Sequence, residues 1–199
     1  LHFYAIVKKH PAVMGTYDAD GLQEGSSGFE KATLRSKDES VGGFMRFETI
    51  ENEDVYVKIG VSFTSVEKAK MWLYKEIPAW DYEAVREETK ALWNKELHKI
   101  QISGEHVSET DKMKHYTAIY HAMCMPRDRS GDIPGYGDDV PMIDDHYAIW
   151  DTWRTLYPLY TLIARDEFAE MLEGFVNDYL ECGWLPRWIS IGEVGCMPS

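Results

Sequence analysis

The spacing of apolar residues along this 199-residue chain changes once, near residue 62, and that change orders its architecture. Before it, short apolar runs alternate with Gly- and Ser-rich breaks, and residues 3–7, 43–48 and 55–61 read as strands. Glu24-Gly25-Ser26-Ser27-Gly28 reads as a loop between them. After it the period is helical. Ser65 is placed to cap a helix that puts Val66, Ala69, Trp72 and Leu73 on one face, and Pro78 ends that region. Asp81 is placed to cap a longer helix carrying Tyr82, Val85, Leu92, Trp93, Leu97 and Ile100. A third helix is predicted over residues 108–123, with Met113, Tyr116, Ile119, Tyr120 and Met123. Residues 149–156 and 158–163 read as two short helical pieces. The strongest pattern comes last: Asp166 as cap, then Phe168, Met171, Leu172, Phe175, Val176, Tyr179 and Leu180 on one face, closed by Gly183. Strands followed by helices give an α+β class, the tail of a β domain joined to a helical one across residues 62–80.

Composition narrows the partners. The chain is long enough to bury a proper core, and its 44% hydrophobic and 28% charged content is that of an ordinary globular protein. A net charge of -13 argues against nucleic acid, because binding a phosphate backbone needs a basic face. The longest apolar runs fall well short of a membrane span. Seven Trp and 12 Tyr suit either a sugar-binding surface or an aromatic core, and general experience favours the core. Cys124, Cys182 and Cys196 form no Cys-x-x-Cys pair, so neither a zinc knuckle nor a redox motif is indicated. The chain opens on Leu1 and enters a strand at once, which reads as an excised piece; the lack of a signal peptide therefore says little about compartment.

Four features carry candidate chemistry. The loop over residues 126–146 is rich in Asp, Gly and Pro, and loops of that length are usually functional or disordered. Within it Asp128, Ser130, Asp132 and Asp139 fall at offsets one, three, five and twelve of a calcium-loop template. Ile133 stands where that template needs Gly, and a solvated acidic loop fits better. His115 and His121 lie six apart, cannot share a helical face as zinc ligands would, and read as one core histidine and one exposed. Trp150-Asp151-Thr152-Trp153-Arg154 follows the acidic loop. Asp151 there is either a helix-start residue favoured by the dipole or, with Arg154 and the Trp150 indole, part of a sugar-holding pocket. Glu193 sits between Gly192 and Gly195 just after Gly183-Trp184-Leu185-Pro186-Arg187-Trp188. The two readings are an exposed turn residue, or a partly desolvated carboxyl whose raised pKa would suit a general acid.

Taken in order, these segments resemble a known family. They are His115-Tyr116-Thr117-Ala118-Ile119-Tyr120-His121 with Pro126, the Gly135-Tyr136 loop, and Ile149-Trp150-Asp151-Thr152-Trp153-Arg154 with Tyr157-Pro158-Leu159. The set continues with Gly183-Trp184-Leu185-Pro186-Arg187-Trp188 through Gly192-Glu193 to Cys196-Met197. Together with Ile59-Gly60-Val61-Ser62-Phe63-Thr64-Ser65 and Trp93-Asn94-Lys95-Glu96-Leu97, they look like glycoside hydrolase family 92, the calcium-dependent exo-acting α-mannosidases. Each motif alone is weak; the ordered set is specific.

The resemblance implies an antiparallel β-sandwich followed by an (α/α)6 barrel. Residues 1–62 would be the end of the sandwich, 63–80 a linker helix and 81–199 the first half of the barrel. It implies hydrolysis of terminal α-mannose with inversion, most readily at α-1,2 linkages of glycans. Glu193 would be the general acid, and Asp151, Arg154 and Trp150 would line the mannose pocket. Calcium is implied as cofactor, with no metal ligand assigned in this chain. The family's base, an aspartate, and most of its calcium ligands belong to a later part of the barrel. The chain therefore reads as an internal fragment that turns over little by itself, with a periplasmic or secreted location for the full-length protein. An incomplete barrel would leave apolar faces open to self-association. A rival reading keeps the scaffold but not the chemistry, as a carbohydrate-binding or protein-interaction module. A third is another sugar chemistry on the same helices.

Overall fold

The computed structural model describes residues 1–28, 33–36, 40–144 and 146–185. Strands come first. β1 (His2–Val7) pairs antiparallel with β5 (Val57–Ser62), Tyr4 opposite Gly60. A second sheet of order β3-β2-β4 is built from β2 (Val13–Asp18), β3 (Gly21–Glu24) and β4 (Gly42–Arg46), all antiparallel. The three strands expected from sequence are present within a few residues. β2 and β3 are additional, and their signal was faint: β3 holds one apolar residue, Leu22, and β2 is interrupted by Gly15. Their hairpin is instead specified by its turn, where Asp18 Oδ1 accepts from the Asp20 amide at 3.0 Å and Gly21 takes a φ of 114°.

Helix α1 (Val66–Glu76) lies on the β1–β5 ribbon. Ser65 caps it as expected, its hydroxyl accepting from the Lys68 amide at 3.0 Å. Ala69 and Leu73, one turn apart, are buried against β5. The contact requires Gly60, because a Cβ there would lie 2.2 Å from the Ala69 carbonyl oxygen and 2.8 Å from Leu73 Cβ. At the other end Lys58 reaches from β5 to donate to the carbonyls of Ile77 (2.7 Å) and Ala79 (3.4 Å), its ammonium 4.6 Å from the Trp80 ring centroid. A buried lysine with no carboxylate beside it is thus neutralised by helix-end carbonyls and an indole face.

Helices α2 (Tyr82–Leu97) and α3 (Glu109–Ala122) follow, capped by Asp81 and Ser108 as the sequence indicates. Ser108 and Asp111 form a reciprocal capping box. The two helices meet at Trp93 and Tyr120, ring centroids 4.6 Å apart. The long loop is not structureless: β6 (Arg127–Asp128) and β7 (Ile143–Asp144) pair across it, so one short ribbon sits inside the helical half. Then come α4 (Ile149–Thr152), α5 (Leu156–Ile163) and α6 (Arg165–Cys182). Gly183 ends α6 in the left-handed conformation, as expected, at a φ of 74°. Its N-cap is Ala164 rather than Asp166, with no side-chain bond. Asp166 sits one position inside, where its charge still favours the helix start. The helical core gathers Ile143, Met171 and Phe175, with Ile149, Tyr157 and Phe168 packed around them. Among the described residues no helix is long and apolar enough to cross a membrane.

Candidate active site

The acidic loop is held at the boundary between the strands and the helices by Asp132. Its carboxylate accepts from the Ser62 hydroxyl, from the Phe63 amide at 3.2 Å and from the Thr64 hydroxyl at 3.1 Å. Two neighbours reinforce the latch. Arg129 lays its guanidinium over the Phe63 ring at 3.5 Å, and Lys68 pairs with Asp138. The residue that matched a calcium ligand by spacing is therefore a structural tie, three of its acceptor sites already filled. Among the described residues no group of three or more His, Cys, Asp or Glu side chains could hold a metal ion, and no step below is routed through calcium.

The Trp150-Asp151-Thr152-Trp153-Arg154 segment forms the single turn of α4 and its exit. Thr152 faces inward, its hydroxyl donating to the Ala148 carbonyl at 3.1 Å. That fixes the helix face and turns its neighbours outward: Trp150 is 64% exposed, Trp153 53%, and Asp151 and Arg154 are exposed. Arg154 rests over the Trp153 ring at 4.6 Å rather than on a carboxylate. Trp150, Asp151 and Arg154 thus share an open surface of indoles, a carboxylate and a guanidinium. They do not converge in an enclosed pocket. Glu193 lies outside the described residues, as do Pro186, Arg187, Trp188 and Cys196.

Behind α4 three tyrosines close the helical interior. Tyr160 is buried and shares its proton between the carbonyls of Ala122 (2.6 Å) and Met125 (2.5 Å). Burial, and secondarily the neighbouring Tyr147 and Tyr157, push its phenol far above the ordinary value. Burial also raises Tyr157, opposed by the Thr152 hydroxyl, and raises Tyr147, which donates to the His121 carbonyl at 2.6 Å. All three remain protonated donors near neutrality and join chain segments rather than transfer protons. Tyr160 also lines a cavity of about 250 Å³ with Met123, Met125, Met142, Phe168 and Met171, rimmed by Asp128, Glu167 and Glu170. The resemblance histidines behave as read: His115 is half-buried, 3.1 Å from the Ile100 carbonyl, and His121 is exposed.

A second opening lies at the boundary itself, a cleft of about 360 Å³ between β5, α1 and the acidic loop. Trp72, Glu76, Asp128, Arg129 and Asp132 line it. Sequence reasoning missed Arg129, and its only cue was its place between two ranked aspartates.

Antiparallel strands leading into paired helices, with exposed indoles beside Asp and Arg, define a carbohydrate-active type of scaffold. The sequence pattern of the glycosyl hydrolase family 92 catalytic domain matches residues 68–199, and the chain belongs to that family. It is 30% identical over 117 residues to an uncharacterized secreted glycosidase of Arthroderma benhamiae, a match covering 57% of this chain and 15% of that protein. Its fold resembles that of a family GH92 inverting mannosidase from Bacteroides thetaiotaomicron VPI-5482, at TM-score 0.75 and 23% identity. It also resembles a family GH92 alpha-mannosidase from Bacteroides thetaiotaomicron, at TM-score 0.75 and 24% identity. Each likeness covers 98% of this chain and 27% of the other, so the chain spans about a quarter of those proteins' length.

Proposed function

We propose that this chain is part of an inverting, exo-acting α-mannosidase that removes terminal α-mannose from glycans, with α-1,2 linkages as the preferred type. The observation that carries the reading is the family match over residues 68–199, which includes both the Trp150–Arg154 segment and Glu193. The printed activities of the two Bacteroides structures support it. The scaffold in this reading is a β-sandwich leading into an (α/α)6 barrel.

Glu193 is the general acid and protonates the leaving oxygen. Asp151 and Arg154 bond the hydroxyls of the terminal mannose beside the Trp150 face. Inversion needs a second carboxylate roughly 6.5–9.5 Å from the acid, leaving room for a water between them. That base, and the ligands of the calcium that the reading includes, are not assigned to residues of this chain. The 199 residues alone accordingly turn over little.

The test is proton NMR of α-1,2-linked mannobiose with the protein, in calcium and again in EDTA. Calcium-dependent release of β-mannose, reduced at least a hundredfold by Glu193→Gln, is the expected result. Release of α-mannose, or activity indifferent to Glu193→Gln, overturns the reading.

A second reading, a non-catalytic carbohydrate-binding or interaction module, is favoured by one observation. Leu172, Val176, Tyr179 and Leu180 form an exposed apolar stripe along α6. Self-association through that stripe, unaffected by Glu193→Gln, is its signature in sedimentation.

A further inference from the structure

The cleft at the strand–helix boundary holds a cation whose hydrogen-bonding capacity is not used within the protein. Arg129 Nε is buried without an acceptor, although a guanidinium offers five N–H donors. The side chain is fixed all the same, because its plane rests on Phe63 at 3.5 Å and its backbone amide donates to the Met142 carbonyl at 2.9 Å. A buried donor without a partner is costly to a folded chain, so a rigidly held one lining an open cleft points to an acceptor that arrives from outside.

The lining says what kind of acceptor. Glu76, Asp128 and Asp132 outnumber Arg129, with Lys75 nearby at 4.5 Å from the Trp72 ring centroid. The balance remains negative and disfavours phosphate or carboxylate ligands. A neutral polyhydroxyl compound meets both signs, its oxygens accepting from Arg129 and its hydroxyls donating to Asp128 and Glu76. Trp72 supplies an apolar wall of the type on which a pyranose ring rests. The volume of about 360 Å³ falls within the range of small-molecule sites, roughly 300–1,000 Å³. Neither Trp150, Asp151 nor Arg154 lines this cleft.

We propose that the cleft between β5, α1 and the acidic loop is a saccharide-binding site, with Arg129 and Trp72 as its principal contacts. The mannosidase reading enters only through the choice of probe. An S-linked α-1,2-mannobiose, which resists hydrolysis, is titrated into the ¹⁵N-labelled protein while the Arg129 Nε–H and Trp72 indole N–H signals are followed. Both are expected to shift saturably. Arg129→Lys keeps a charge over Phe63 but lacks the guanidinium fork. It should weaken binding at this site at least tenfold with an unchanged thermal midpoint, whereas Asp151→Asn should leave these two shifts intact.

The proposal is overturned if neither signal moves at saturating sugar, if Arg129→Lys binds as well as the parent, or if inorganic phosphate shifts Arg129 and the sugar does not. Failure here is separable from failure of the proposed function. Hydrolysis of ordinary mannobiose with still cleft signals removes this site alone. Moving signals without hydrolysis remove the activity alone.

Discussion

Helices α1 and α6 carry the same kind of apolar stripe, yet only one of them is covered along its length. On α1 the inward residues Ala69 and Leu73 are 0% and 2% exposed, because β5 offers a flat ribbon with Gly60 at the crossing point. On α6 the first half behaves likewise: Met171 and Phe175 pack with Ile143 and the rings of Tyr157 and Phe168. Further along, Val176, Tyr179 and Leu180 stand more than half exposed. α2 goes further still and buries none of its residues fully. Periodicity therefore reports that a face is made to be covered, and tertiary structure decides what covers it. In this chain the covered faces cluster at the boundary and in the helical core, and the open ones lie on the outer flanks of the helices.

The sharpest way to break the comparison is to cut the same side chain on each helix. Leu73→Ala removes a fully buried residue beneath β5 and should cost about 2–5 kcal/mol in chemical denaturation. A loss below 1 kcal/mol would mean that α1 does not hold the ribbon as described. Asp132→Ala should come next. It removes one carboxylate that accepts from Ser62, Phe63 and Thr64 at once, and a lost charged hydrogen bond is worth about 1.5–3 kcal/mol. Its distinguishing sign is local. Amide exchange should accelerate in residues 126–142 and at 62–65 while the β3-β2-β4 sheet stays protected.

A smaller effect separates the caps. Asp111 is held below the ordinary carboxylate value of 3.8, first by the Ser108 hydroxyl and then by the Ser108 amide. A depressed folded-state pKa contributes stability above the unfolded value, and that contribution disappears as pH falls from about 3.8 through the lower folded value. Amide exchange at the start of α3 should therefore rise in that acidic window. The start of α6, capped by Ala164 without a side-chain bond, should show no corresponding step from a cap. Equal behaviour at both helix starts would remove the capping box from the account.

How far the sequence foretold this structure follows from the range of each interaction. The caps Ser65, Asp81 and Ser108 and the terminating Gly183 were legible because they act within three or four residues. β2 and β3 were not, since their pairing depends on a turn rather than on alternation. Asp132 was singled out for the wrong reason. Spacing within the loop suggested a metal ligand, whereas its partners lie about seventy positions upstream. The candidate pocket shows the same limit. Trp150, Asp151 and Arg154 were named as one unit, and the inward turn of Thr152 does set them on one exposed surface. Arg129, Phe63 and Trp72 come from three separate segments, and only folding brings them to one cleft.

The gentlest substitution then sharpens the comparison rather than breaking it. Leu180 is 72% exposed near the end of α6, on the stripe with Val176 and Tyr179. Removing an exposed leucine leaves no cavity, so Leu180→Ser should shift unfolding by no more than about 0.5 kcal/mol, in contrast to Leu73→Ala. Its effect belongs to association instead. If the stripe joins two copies, dilution of the parent chain should dissociate a species that Leu180→Ser never forms, and sedimentation velocity reads this directly. If both remain monomeric at the same concentration, the open half of α6 is not a self-association surface. A stability loss comparable to that of Leu73→Ala would instead mean that Leu180 is covered within the folded chain, and the contrast between α1 and α6 would fail.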